Sequence, residues 1–293
     1  MLEIGNNERN ACKSVIRMSK QEILLAVQDA QSEFGIATER YTVDQTQPIT
    51  QLKNILETSK IAQFLTQGTS LEGQKSPISS GFSTNLIGNF LQILVDSATL
   101  LIPSDLFESQ QTETLFRHTF PSVGKDKKVV SSTMKSLGSV LVFAIDAQAF
   151  DLLQSRFRHV DVAPVMQPIW KHCSKKNLSG LKNDLFAYFH DGKTDVFCFE
   201  NNGFRFSNQF ITHQSRDAVN HILSVWQEVD YDNVDDELLL LDVSKDEQWL
   251  LHSLRRVLQR VYTLNPKAEF NRATIAQADG VPLDVITYFL EGK

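Results

Sequence analysis

The side chains with chemical potential in this 293-residue sequence fall into a few small groups. The densest is the run Tyr188-Phe189-His190-Asp191-Gly192-Lys193-Thr194, where His190, Asp191 and Lys193 would offer a base, an acid and an anion-binding cation. Turns collect polar residues for conformational reasons, so a hairpin turn accounts for this run without catalysis. His213 and His221 are eight apart, not the i, i+4 pair that holds a metal on one helix face. His172 precedes Cys173 on an expected helix whose apolar face holds Ile169, which makes Cys173 a small buried hydrophobe rather than a nucleophile. Cys198 sits between Phe197 and Phe199 and reads as part of a strand. The acidic run Asp230, Asp232, Asp235, Asp236 and Glu237 lacks EF-hand spacing and reads as a solvated loop. Lys125, Lys127 and Lys128, like Arg255, Arg256 and Arg260, read as solvated basic surface. A nucleophile elbow, a phosphate-binding P-loop, H-E-x-x-H and G-x-G-x-x-G are all missing from the sequence. The residues taken alone therefore assign no catalytic, cofactor-binding or metal position.

The elements that would position these groups follow from periodicity. Glu22–Gln28 reads as the first strand, with a turn at Asp29-Ala30-Gln31-Ser32 and a second strand over Phe34–Ala37. Ile49, Leu52, Ile55, Leu56, Ile61, Phe64 and Leu65 recur at helical spacing behind Pro48. Residues 68–84 are rich in Gly and Ser and read as a loop. Leu91–Ile102 reads as two strand pieces around Asp96-Ser97, with a short helix over 105–107 capped by Ser104. Residues 121–137 are polar. Val140–Ile145 predicts a strand covered on both faces, and Asp146 a helix cap. A strand over Val160–Val165 and a helix opened by Pro168 follow, which is α/β order. The polar stretch Asn177–Asn183 marks a boundary between two halves.

The second half is more legible. Phe186–His190, Asp195–Glu200 and Phe204–Phe210 are short aromatic runs joined by Asp191-Gly192 and Asn201-Asn202-Gly203, both strong hairpin signals. Ala218, Val219, Ile222, Trp226 and Val229 share a helical face, and Leu238–Leu241 reads as a buried strand. Ser244-x-x-Glu247 matches a capping box for a helix carrying Leu250, Leu251, Leu254, Val257, Leu258 and Val261. Pro282 and Asp284 open a last helix.

Composition sets the limits. Hydrophobic residues make up 42% and charged residues 22%, the balance of an ordinary globular chain of about two domains. The net charge of −6 argues against a global nucleic-acid footprint. Three cysteines without C-x-x-C spacing are neither a disulfide framework nor a zinc site. The N-terminal run has no apolar core of a signal peptide, and no stretch approaches the ~18 apolar residues of a membrane span. The expectation is a cytoplasmic protein.

Several segments carry a resemblance. LIPSDLF at 101–107, TDVFCFENNGFRFSNQF at 194–210, VDDELLLLD at 234–242 and NPKAEFNRATIAQADGVPLDVITYFL at 265–290 are similar to an uncharacterised bacterial family of actin-like fold. The segment VLVFAIDAQAFDLLQSRFRHVDVAPVMQPIW and the aromatic runs after it are, more distantly, similar to pilus-assembly and cell-division actin-like proteins. The resemblance implies an α/β actin-like ATPase fold, with two ribonuclease-H-like halves at residues 1–180 and 181–293, each a mixed sheet flanked by helices.

Active members of that superfamily place a phosphate loop in the first hairpin of each half, with Gly for backbone approach and an Asp for Mg²⁺ or water. The first hairpin expected here, Val27–Glu33, offers Asp29 but no Gly, and Glu33 adds repulsion. In the second, Tyr188 takes the place of the Asp and His190 that of the Gly. At the adenosine end, Asp242-Val243-Ser244-Lys245-Asp246 has no Gly and three charges. The expected function is a non-catalytic binding or scaffold protein with degenerate phosphate loops, a protein partner and no cofactor. The alternative is a nucleotide-binding ATPase or sugar-kinase-like enzyme with an atypical loop and Asp29 as its acid. A nuclease of the same strand order would need clustered carboxylates, and Tyr188 stands where the first should be.

Overall fold

The computed structural model describes residues 13–28, 34–67, 90–177, 183–201, 203–243 and 246–291. In chain order the strands and helices are β1 (Ser14–Met18), β2 (Glu22–Gln28), β3 (Ile36–Thr42), α1 (Pro48–Thr58), α2 (Lys60–Gln67), β4 (Phe90–Val95), β5 (Thr99–Pro103), α3 (Thr112–Thr119), β6 (Lys127–Met134), β7 (Ser139–Asp146), α4 (Ala147–Arg156) and β8 (His159–Pro164). They continue with α5 (Met166–Asn177), β9 (Asp184–His190), β10 (Lys193–Glu200), β11 (Gly203–Ile211), α6 (Ser215–Glu228), β12 (Glu237–Leu241), α7 (Glu247–Arg255), β13 (Val261–Leu264), α8 (Pro266–Glu269) and α9 (Leu283–Glu291). The chain groups into two units, one of residues 1–100, 108–132 and 142–165, the other of residues 101–107, 133–141 and 166–293.

The first unit is built on a sheet ordered β3-β2-β1-β4-β8. Neighbours among β1, β2 and β3 pair antiparallel, whereas β1–β4 and β4–β8 pair parallel. Period-2 alternation sends Ile16, Ile23, Leu25, Val27, Leu91 and Ile93 to one face, where they meet the apolar stripes of α1, α2 and α4. The helix expected over 49–65 is two helices. The chain breaks at Ser59 (ψ 131°), whose hydroxyl accepts from the Ala62 amide, while Glu39 Oε1 accepts from the Ile61 amide at 3.2 Å. Burial pushes the Glu39 carboxyl up, but hydrogen bonds from Ser59, Tyr41 and the α2 amides outweigh it and hold the group below its usual range. β7 lies in a three-stranded sheet ordered β5-β7-β6 and is buried along seven of its eight residues, as its unbroken apolar run requires. Asp146 caps α4, its Oδ1 accepting from the Ala149 amide at 2.9 Å.

The second unit repeats the topology, with a sheet ordered β11-β10-β9-β12-β13. Again three antiparallel strands lead to two parallel ones. Leu185, Ala187, Val196, Cys198, Leu238 and Leu240 pack against α6 and α7. On the opposite face Phe186 stacks on Phe197 (centroids 5.3 Å apart), and Trp170 of α5 meets Phe197 and Phe204 edge-on. α5 and α9 pack together. Truncating an aromatic of this group removes ~3–5 kcal/mol.

Several expectations change. β1 precedes the strand expected to be first, and residues 29–33 lie outside the described residues. The segment 104–106 is a turn rather than part of a helix, and the helix of that region is α3. The polar stretch 121–137 contains β6. The late helix ends at Arg255, and Val261 opens β13 instead of continuing it. Apolar spacing continues through the break because Leu258, in the turn after α7, and Val261, in β13, are buried in the same cluster as Leu250 and Leu254.

Candidate functional site

Because each sheet begins with the same antiparallel pair, the hairpins β1–β2 and β9–β10 occupy equivalent topological positions. The first closes through Ser19 and Glu22. The Ser19 amide donates to the Glu22 carbonyl at 2.9 Å, and the Ser19 hydroxyl accepts from the Gln21 and Glu22 amides at 3.2 and 3.0 Å. Lys20 and Gln21 are exposed at its tip. The second closes through His190 and Lys193 around Asp191 (φ 45°) and Gly192 (φ 72°), a two-residue turn of the I′ kind that requires both positive angles. Counting back two residues from each closing pair places Arg17 in the first sheet where Tyr188 stands in the second. Both are buried, Arg17 at 3% and Tyr188 at 0% exposure.

The second hairpin holds a network of buried polar side chains. His190 Nε2 lies 2.6 Å from Asp195 Oδ2, and its Nδ1 lies 3.1 Å from Asp191 Oδ2. The three side chains retain 3%, 6% and 8% exposure respectively. Gln209 of β11 donates to Asp195 Oδ2 at 3.1 Å. Tyr188 stacks on the imidazole (centroids 4.8 Å apart, planes 18° apart), and its hydroxyl donates to Asp284 Oδ2 at 3.1 Å. Asp284, fully buried, comes from the first turn of α9. Position follows from pattern here: cross-strand register sets Asp195 opposite Tyr188, and alternation turns both to one face. The sequence placed His190 and Asp191 in this turn but passed over Asp195. The missed signal is a charged residue inside Thr194–Phe199, a run of six buried residues.

A second charged group ties α5 to the C-terminal helices. His172 Nδ1 is 3.0 Å from Glu291 Oε1 and its Nε2 is 3.6 Å from Glu269 Oε1. Lys175 pairs with Glu291, and Lys176 with Glu269 at 2.7 Å. Burial pushes the Glu291 carboxyl up, yet the His172 and Lys175 contacts more than offset this and hold it below its usual range.

The remaining candidates take structural places. Cys173 and Cys198 are free and buried, and burial pushes both thiols up, which suppresses the nucleophilic thiolate. Cys12 lies outside the described residues. His213 sits in the bend before α6, whereas His221 lies within it and stacks on Phe210 at 4.4 Å. The acidic loop bonds to itself. Asp232 Oδ1 accepts from the Val234 and Asp235 amides, and Asp236 accepts from the Asp232 and Asn183 amides. Lys127 pairs with Asp146 and Lys128 covers the Phe150 ring. Arg255 donates to the Val261 carbonyl, and Arg260 to Glu237 Oε1 at 3.3 Å. After β12, Asp242 (φ 57°) accepts from the Leu283 amide at the start of α9, and Asp246 (φ 55°) accepts from the Ser215 hydroxyl. The capping serine expected for α7, Ser244, lies outside the described residues. Asn265 caps α8 through the Lys267 amide, so the C-terminal motif begins with a structural role.

Two sheets of one strand order, three antiparallel strands followed by two parallel ones, each with helices, define an actin-like ATPase fold. A protein from Bacteroides thetaiotaomicron, described as having an actin-like ATPase fold and unknown function, is similar over 95% of this chain and 100% of its own at 20% identity and a TM-score of 0.72. The chain belongs to the family described as "Protein of unknown function (DUF3822)", whose model matches residues 91–261. A PilM-PilN type IV pilus biogenesis complex is similar at 10% identity over 95% of this chain and 98% of that one, with a TM-score of 0.45. The ethanolamine utilization protein EutJ from Carboxydothermus hydrogenoformans is similar at 10% identity over 88% of this chain and 86% of its own, with a TM-score of 0.38. No curated protein matches. Among the described residues no helix is long and apolar enough to cross a membrane.

Proposed function

We propose that this chain is a cytoplasmic, non-catalytic binding or scaffold protein with a protein partner. In this reading its two ribonuclease-H-like halves span residues 1–180 and 181–293. The observation that carries the reading is the pair of equivalent hairpins. Where active actin-like ATPases bring an acid for metal or water, this chain has buried Arg17 and Tyr188. Where a glycine would let phosphate approach the backbone, it has Ser19, whose hydroxyl occupies the turn amides, and His190, whose ring packs under Tyr188. Asp29, the acid of the competing enzyme reading, lies outside the described residues. The first hairpin is formed by β1 and β2 rather than by the residues around Asp29.

Calorimetric titration with Mg-ATP, Mg-ADP and Mg-GTP tests the proposal. No binding at micromolar to millimolar nucleotide is the expected result. Saturable micromolar binding with hydrolysis that Asp29→Ala abolishes would replace it with the ATPase reading. Affinity capture of the tagged chain from its own host identifies the partner.

A further inference from the structure

Among the described residues the three sheets leave six edge strands, and five of them carry features that discourage the addition of a further strand. β3 carries Glu39 and Arg40, β8 carries His159 and Asp161, and β6 opens with two lysines. β5 is five residues long and ends in Pro103, while β13 has four residues and the Arg255 guanidinium already on its Val261 carbonyl. β11 differs. At nine residues it is the longest strand among those described, and its one charged side chain, Arg205, is drawn off at the bulge to the Val229 carbonyl. From Phe206 to Ile211 the strand is uncharged, and Ile211 is 67% exposed.

The Thr212 amide donates to the Gly192 carbonyl at 3.0 Å, so in the β10–β11 register the even-numbered residues of 206–212 turn their backbone polar groups to β10. Ser207, Gln209 and Ile211 turn theirs outward, and within one chain the Gln209 amide is held by Asn208 Oδ1 at 2.9 Å. We infer that β11 pairs antiparallel with β11 of a second copy of this chain, about a two-fold axis at Asn208. Two outward-facing residues must stand opposite each other to exchange hydrogen bonds. Setting Ser207 opposite Gln209 meets that condition and places Phe206 opposite Phe210 and Asn208 opposite its own copy. Aromatic rings then meet on the face where Phe206 and Phe210 already pack, and no like charges face each other. The stretch is complementary to itself, which favours a second copy over an unrelated strand. Two five-stranded sheets thereby join into one. The inference goes beyond the non-catalytic reading and does not rest on it, since nucleotide titration reports on the hairpins and self-association on this edge.

Sedimentation equilibrium of the full chain at ~1–100 μM tests this, and a monomer–dimer equilibrium in that range is the expected result. Asn208→Lys and Asn208→Asp each set a charge against its own copy and weaken the dimer about fivefold or more, whereas an equal mixture of the two restores it. Ser207→Pro abolishes the dimer and leaves the circular dichroism melt of the monomer in place, because that N–H faces away from β10. A wild-type chain that stays monomeric at ~100 μM overturns the inference. So does a dimer that both Asn208 variants retain at full strength, or a mixture no tighter than either variant alone. Capture of an extended segment of another protein along β11, in place of the second copy, also overturns it.

Discussion

Asp184, the first residue of β9, is set in register opposite Glu237, the first residue of β12, so two carboxylates start neighbouring parallel strands. Burial, then the negative charge of Glu237, pushes the Asp184 carboxyl up from 3.8 to about 6, with Lys176 opposing and Asp236 adding to the rise. A carboxyl whose folded pKa lies above its unfolded value binds its proton more tightly when folded. Its contribution is therefore fully present below pH 3.8 and is lost as pH rises through about 6. A rise of about two pH units corresponds to ~3 kcal/mol, and half-exposure to solvent reduces this to ~1–1.5 kcal/mol. Asp184→Asn keeps the shape and removes the charge, so it stabilises the second unit by ~1–1.5 kcal/mol at pH 8 and by nearly nothing at pH 4. All three tryptophans, Trp170, Trp226 and Trp249, belong to that unit, so urea melts followed by tryptophan fluorescence report on it directly. A gain of the same size at both pH values, or a loss at pH 8, refutes the electrostatic reasoning.

Three other outcomes are expected. Glu291→Gln destabilises the α5–α9 contact by ~1 kcal/mol at pH 7. Because the Glu291 pKa is lowered, this difference is lost as pH falls below its usual 4.5, as amide exchange in α9 would show. Asp146→Ala removes the α4 cap and the Lys127 ion pair and costs ~1 kcal/mol, measured by circular dichroism melting or by exchange in α4, since no tryptophan reports on that unit. Gly192→Ala forces a side chain to φ 72° and costs ~1 kcal/mol in urea melts, whereas Gly192→Asn, at home in left-handed turns, costs less than half of that.

The parts legible in the sequence were those where local and tertiary preferences agree. Asp191-Gly192 forms the expected tight turn, the aromatic meander forms β9 to β11, and the fully apolar run of β7 is buried as expected. β1 was missed because SVIRM is five residues long and its turn, Ser19-Lys20-Gln21, has none of the Gly, Asn or Pro that mark hairpins. In that turn a side-chain hydroxyl does the work of special backbone angles. β6, KKVVSSTM, is polar on alternate positions and resembles a loop until neighbouring strands are present to pair with it. The break at Ser59 was invisible because apolar spacing continues through it, while the capping partner Glu39 comes from β3, 20 residues earlier along the chain. The His190 network combines residues from β9, β10, β11 and α9, and local pattern carries no information about such distant partners.

The grouping of the chain has a consequence for how it is made. Residues 101–107 and 133–141 belong with residues 166–293, so the chain passes between the units after residues 100, 107, 132, 141 and 165. On the ribosome, β5 and the start of β7 emerge before α5, and residues 166–293 must follow before the unit they join is complete. Their own sheet, β5-β7-β6, is complete in sequence by Asp146, so these strands can pair with one another before the sheet of the second unit begins at β9.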